Sequence, residues 1–211
     1  MTQIDISLYI KLLKEQNSPQ SDFVQFTEKH KNPFWVLITC ILSLRTNDKT
    51  TMGATLRMLE LGKIPKDFAK LDVDILANAI YPVGSYKNKA KQIIELSKRI
   101  LEEYNGQTPC SIEELVKFNG VGRKTANLVL AKGFNLPAIC VDVHVHRICN
   151  RWGYVNTKTP EETEMKLRDL LPVEFWMDFN TLLVTHGQNI CKPIKPLCEK
   201  CLLSSLCLKR V

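Results

Sequence analysis

The stretch Leu115-Val-Lys-Phe-Asn-Gly-Val-Gly-Arg-Lys-Thr-Ala-Asn-Leu-Val-Leu130 reads as helix, tight hairpin, helix. Glycine at 120 and 122 permits positive φ and lets a backbone come close to a ligand. Amides at the start of the second helix have no intrahelical acceptor and favour a phosphate. Arg123 and Lys124 add positive charge at the same place. The hairpin, Gly120, Val121, Gly122 and Arg123, is therefore a candidate phosphate-binding element for DNA or RNA, against the alternative of a plain helix–helix turn. Lys124 falls in the first turn of the second helix. The positive helix end, with partial burial, favours its neutral amine, the form that acts as a nucleophile. The competing reading is one more phosphate-binding lysine.

Helical signals continue on both sides of the hairpin. Ser111 with Glu114 forms a capping box before Leu115. Lys87–Tyr104 carries Ala90, Ile93, Ile94, Ile100, Leu101 and Tyr104 at helical spacing, and Asn105-Gly106 ends it. Phe34–Leu44 is apolar and long enough for a buried helix. Downstream, Asp142 precedes a predicted helix over Val143–Trp152. Thr159-Pro160-Glu161-Glu162 starts another that stops before Pro172, and an amphipathic stretch runs from Phe175 to about Asn189. No run alternates strictly between apolar and polar residues. The chain reads as all-α, in about ten short helices, with a seam at Asn135-Leu136-Pro137.

Asp142 is a good N-cap, and a cap carboxylate can also stabilise developing positive charge or manage protons. His144 and His146 next to it are metal-ligand types, with surface or packing roles favoured. Near the C-terminus Cys191, Cys198, Cys201 and Cys207 stand with gaps of six, two and five residues. Thiols clustered this way read as four ligands for one soft metal centre, an iron–sulfur cluster or zinc. Lys192 and Lys195 lie in the first gap, where they either meet a DNA backbone or form a solvated loop.

The chain has 211 residues, enough for one domain or two small ones. Its net charge is +7, from 29 basic and 22 acidic residues, with a pI near 9.0. The surplus favours polyanionic partners without proving one. No signal peptide or membrane-length apolar run is evident, which points to a reducing, cytoplasmic location. There the tail cysteines are metal ligands, and Cys40, Cys110, Cys140 and Cys149 are buried free thiols.

Together, Ile41-Leu-Ser-Leu-Arg-Thr-Asn-Asp48, the hairpin Asn119–Ala126, Val141-Asp-Val-His-Val-His-Arg147 and the cysteine spacing resemble the endonuclease III family of DNA glycosylases, in the helix-hairpin-helix superfamily. The likeness covers nearly the whole chain. It implies two helical lobes with a DNA-binding cleft between them: a six-helix barrel over about residues 22–136, with the helix-hairpin-helix at about 115–131, and a lobe made of 1–21 plus 137–211 with a cluster loop at 191–207. It implies a 4Fe–4S cluster rather than zinc. It further implies a monomer, nucleoid-associated when on duplex DNA, that removes oxidised pyrimidines and cleaves the abasic strand by β-elimination. Lys124 matches the nucleophile and Asp142 the assisting aspartate. Two residues depart from the family pattern. Arg45 stands where many bacterial members have glutamine, and Ser85 where a bulky apolar wedge is common, so Tyr86 is a candidate for the wedge. The rival readings are a mismatch glycosylase, a non-catalytic DNA-binding iron–sulfur protein and an electron carrier. Lys124, Asp142 and the chain's end at Val211 favour the first reading over these.

Overall fold

The computed structural model describes residues 4–16 and 22–208. Among the described residues there are twelve α-helices and no strand, as the absence of apolar–polar alternation predicts. The chain divides into two compact units, Ser21–Leu136 and a discontinuous one made of Met1–Gln20 with Pro137–Val211. Residues 1–3 and 17–21 of the expected N-terminal segment lie outside the described residues.

The first unit holds α2 (Asp22–Lys29), α3 (Pro33–Ser43), α4 (Asp48–Leu61), α5 (Pro65–Phe68), α6 (Val73–Ile80), α7 (Tyr86–Tyr104), α8 (Ile112–Leu115) and α9 (Arg123–Leu128). A π-helical segment, Val129–Gly133, continues α9. Helix α3 is the centre of this unit. Every residue from Phe34 to Leu42 is buried, because a helix apolar on all sides must be enclosed. It packs against α4, α7, α9 and the π segment. It starts at Pro33, since Asn32 Oδ1 accepts from the Phe34 and Trp35 amides at 3.0 and 3.3 Å and proline suits the first helical position. Helix α7 is amphipathic: Ala90, Ile93, Ile94 and Ile100 are buried. Asn105 at φ 53° and Gly106 at φ 79° end it, with the Gly106 amide donating to the Ile100 carbonyl at 2.9 Å.

One capping expectation needs correction. Ser111 Oγ accepts from the Glu114 amide at 3.2 Å, but the Glu114 carboxylate does not return to the cap. It accepts instead from Tyr104 Oη at 2.7 Å and Lys117 Nζ at 2.6 Å. Two side-chain donors, one of them charged, outcompete a single backbone amide.

The second unit joins α1 (Ile6–Glu15) to α10 (Val143–Trp152), α11 (Pro160–Leu170) and α12 (Trp176–Asn189). Their shared core includes Tyr9, Leu13, Ile148, Trp152, Phe179 and Leu183. Helix α1 also fastens the tail: Tyr9 Oη donates to the Leu206 carbonyl at 2.6 Å, and Gln16 Nε2 to the Lys200 carbonyl at 2.8 Å. The first and last segments of the chain thus stabilise each other. None of the eight cysteines, all among the described residues, forms a disulfide; Cys40, Cys140 and Cys149 are buried as expected. Cys110 is exposed, contrary to expectation. It lies in the connection between α7 and α8, and such segments run over the surface.

Candidate functional site

The hairpin stands on α7. Gln92 Nε2 donates to the Asn119 carbonyl. Arg99 donates to the Lys117 carbonyl at 2.9 Å and covers the Phe118 ring at 5.0 Å. The Tyr104 and Phe118 rings lie 5.8 Å apart. Val121 is buried and anchors the turn from inside. These contacts add to the turn's own backbone bond, from the Val121 amide to the Phe118 carbonyl at 3.1 Å.

The two hairpin glycines serve different ends. Gly120 has φ +72°, and a Cβ there would lie 2.6 Å from Gln92 Nε2. Gly122 has ordinary extended backbone, φ −95° and ψ 176°, with nothing within 4 Å of a Cβ built there. The folded chain therefore needs glycine at 120 but not at 122. Gly122→Ala is expected to cost under about 1 kcal/mol of stability, as a slightly poorer N-cap, while weakening duplex DNA binding clearly. A thermal melt beside a binding titration checks this; unchanged binding would show that no ligand backbone approaches Gly122.

Arg123 and Lys124 are the first two residues of α9, and both side chains are exposed. The partial burial expected for Lys124 is absent, because Thr125 and Ala126 take the inward positions at this helix start. Its charge still reaches the core. Burial pushes the Cys40 thiol up to about 12, and the Lys124 ammonium works against that shift. Cys40 therefore stays a neutral thiol and does not compete as a nucleophile.

In the second unit, Asp142 is the N-cap of α10 and only 9 % exposed. Its Oδ1 accepts from both the His144 and Val145 amides at 2.9 Å, so the cap occupies one carboxylate oxygen and leaves Oδ2 outside it. His146 Nδ1 meets Thr163 Oγ1 at 2.7 Å, and His144 Nδ1 meets Arg147 at 3.1 Å. Both histidines thus pack into polar contacts within the helical unit.

Cys191, Cys198, Cys201 and Cys207 line one hollow, with Arg151 and His186 among the other lining residues. No three His, Cys, Asp or Glu side chains among the described residues converge as a group that could hold one ion. Arg151 is buried and donates to Cys191 Sγ at 3.4 Å and to the Lys192 and Pro193 carbonyls at 2.7 and 2.9 Å. Arg147 donates to the Cys191 carbonyl at 2.9 Å. Burial, followed by Arg147, lowers His186 to about 4, so it is neutral where its Nε2 sits 3.8 Å from Cys201 Sγ. Burial also raises the Cys201 thiol, and the other three cysteines push it the same way. A ligand that takes thiolates would have to displace that proton. Lys192 and Lys195 are exposed on the loop that Arg151 pins, with Lys195 at φ 53°.

The profile of the HhH-GPD superfamily of base excision DNA repair proteins matches residues 38–173. Endonuclease III of Thermotoga maritima is 48 % identical over 87 % of this chain and 87 % of that protein. The chain belongs to the endonuclease III family. Two solved structures share its fold. A non-covalent endonuclease III–DNA complex matches with TM-score 0.87 at 32 % identity, covering 99 % of this chain and 96 % of that one. A trapped endonuclease III–DNA covalent intermediate matches with TM-score 0.82 at 32 % identity, covering 98 % and 97 %.

In this endonuclease III family member Arg45 and Ser85, the two residues read from the sequence as departures, stand on loops that meet at Gly84. Arg45 and Ser85 are exposed, each in left-handed backbone at φ 54° and 56°. Ser85 precedes α7 and makes no side-chain cap bond. The Tyr86 ring is half-buried and set edge-on to Tyr81 at 5.3 Å. Tyr81 is the more open of the two, at 60 % exposure. Lys89 had no signal in the sequence, yet it is 6 % exposed and lies beneath both loops. Burial lowers its pKa. Gln92 and Arg99, the two side chains that hold the hairpin, were equally silent.

Proposed function

We propose that this chain is a base excision repair enzyme that removes an oxidised pyrimidine from duplex DNA and then cleaves the abasic strand. The observation that carries this reading is the hairpin lysine, exposed at a helix start, in a member of a glycosylase family. The hairpin amides and Arg123 hold a phosphate beside the lesion, and Arg45, Ser85, Lys192 and Lys195 add DNA contacts. The target nucleotide leaves the stack, since C1′ is shielded within a duplex.

Lys124 Nζ forms a bond to C1′ as the glycosidic bond breaks and the base departs with the electron pair and a proton. Opening of the sugar ring gives an imine between Lys124 and C1′. Loss of a C2′ proton then expels the 3′ phosphate, and water returns the amine. The Asp142 carboxylate stabilises positive charge that develops on the sugar while the base leaves. The enzyme works as a monomer, in the cytoplasm with the nucleoid.

The four cysteines hold a 4Fe–4S cluster. They fit it because four thiols, the donor set such a cluster takes, line a common hollow, and because Arg151 is placed to donate to a ligand sulfur. Bound there, the cluster would tie together the tail segment from Cys191 to Cys207, which Arg147 and Arg151 of α10 already hold. Cys198→Ala is expected to lose visible colour and iron and to melt at lower temperature, read by absorption, iron analysis and calorimetry. A wild type that is colourless and iron-free after anaerobic purification would sink the cluster.

Borohydride trapping tests the central claim. Wild type mixed with a duplex bearing one thymine glycol should give a covalent protein–DNA band on a denaturing gel. No band there or on an abasic duplex would leave a monofunctional glycosylase or a binding protein.

A further inference from the structure

The α3–α4 connection carries Arg45, and the α6–α7 connection carries Ser85. Within the first unit these two loops meet at a polar node. Thr46 Oγ1 accepts from the Gly84 amide at 3.1 Å and from Lys89 Nζ at 3.4 Å, and donates to the Leu44 carbonyl at 3.3 Å. Lys89 Nζ also donates to the Leu42 and Leu44 carbonyls at 2.9 and 2.5 Å. All three ammonium donors are thus directed to oxygens. One belongs to Leu42 in the last turn of α3 and one to its C-cap Leu44, where a cation suits the negative helix end. Contact across the node is close: a Cβ on Gly84 would sit 2.8 Å from the Arg45 carbonyl oxygen.

A buried lysine is an expensive way to close a loop that needs only to be closed, because desolvation opposes its charge. The node does something more specific. It joins the two loops beside Arg45 and Ser85, both of which hold a left-handed conformation that non-glycine residues seldom adopt. Both of their side chains remain outside. We propose that Lys89, Thr46 and Gly84 are positioning residues that bolt the two loops into one preformed element, so that Arg45 and Ser85 meet lesion-bearing DNA together. The proposal rests on the DNA-repair reading above. The node lowers the ordering cost of binding.

Thr46 permits a clean test, since Thr46→Val keeps the shape and removes the hydroxyl. Binding to a duplex with an uncleavable abasic analogue should weaken about tenfold, the scale of about one net hydrogen bond of lost preorganisation. Thr46→Ser should restore it. Gly84→Ala, which keeps Thr46 and Lys89 but forces the loops apart, should weaken binding in the same way. The decisive readout is the double variant: on an Arg45→Ala background, Thr46→Val should cost less than about twofold, because the two losses share one cause. Wild-type affinity in Thr46→Val, or the same fold-loss on both backgrounds, would overturn the proposal, as would an Arg45→Ala variant that binds like wild type. If the wild type itself ignores the abasic duplex, the repair reading fails first and takes this inference with it.

Discussion

Lys124→Gln is expected to give no borohydride-trapped band and no strand cleavage, on thymine glycol and abasic duplexes alike, while duplex binding survives. An amide nitrogen shares its lone pair with a carbonyl and cannot form the imine, so the loss is of a bond, not of a rate factor. Lys124 is exposed at the second position of α9, whereas the hairpin is held by Gln92, Arg99 and Val121. Glutamine is a good helix former, and removing a cation from a helix N-terminus relieves about 0.3–1 kcal/mol of unfavourable dipole interaction. A melting curve like that of wild type should therefore accompany the lost chemistry. Binding should fall only modestly, by about one phosphate-scale charge contact. Residual trapping in Lys124→Gln would move the nucleophile elsewhere, and the exposed lysines at 192 and 195 would be next to test.

The parts of this chain that follow local rules were legible. Helix α10 runs over Val143–Trp152 as read, because an aspartate cap and a glycine stop fix both ends within the segment. Helix α3 differs from its expected bounds by one residue at each end, since Asn32-Pro33 gives an earlier cap than its apolar run suggested. The hairpin glycines and the four cysteines were visible because their chemistry depends on spacing along the chain. What stayed hidden was support at a distance. Gln92 reaches a carbonyl 27 residues away, and Lys89 two carbonyls 47 and 45 away. Neither leaves a mark on helical periodicity. Lys89 even reads as a polar residue on a surface helix, where a lysine is ordinarily solvated. The Glu114 capping box failed for a related reason: its local partner lost to Tyr104, ten residues away and brought near by the fold. Arg45 and Ser85 were read as separate departures from a family pattern. That they share one node follows only from the packing of α7 beneath both loops.

Asp142 allows the fold to be separated from the chemistry through two substitutions. Oδ1 carries both cap bonds, to the His144 and Val145 amides. Asparagine supplies an equivalent carbonyl oxygen and ranks with aspartate as an N-cap, so Asp142→Asn should fold and melt like wild type. It lacks the negative charge, however, and cannot stabilise a developing cation or hold a proton. Base release should slow by about 10²–10⁴-fold, the usual range for a positioned acid–base group. Asp142→Ala should lose the same rate and in addition about 1 kcal/mol of stability, since α10 then starts without its cap. The pre-formed abasic site provides the discriminating substrate. It has no base to lose, so Asp142→Asn should retain much more of its activity there than on thymine glycol, with imine formation by Lys124 still available. Single-turnover rates on the two duplexes, beside calorimetric melts of the three proteins, check all of this. Base release at the wild-type rate in Asp142→Asn would leave the carboxylate as a helix cap and nothing else.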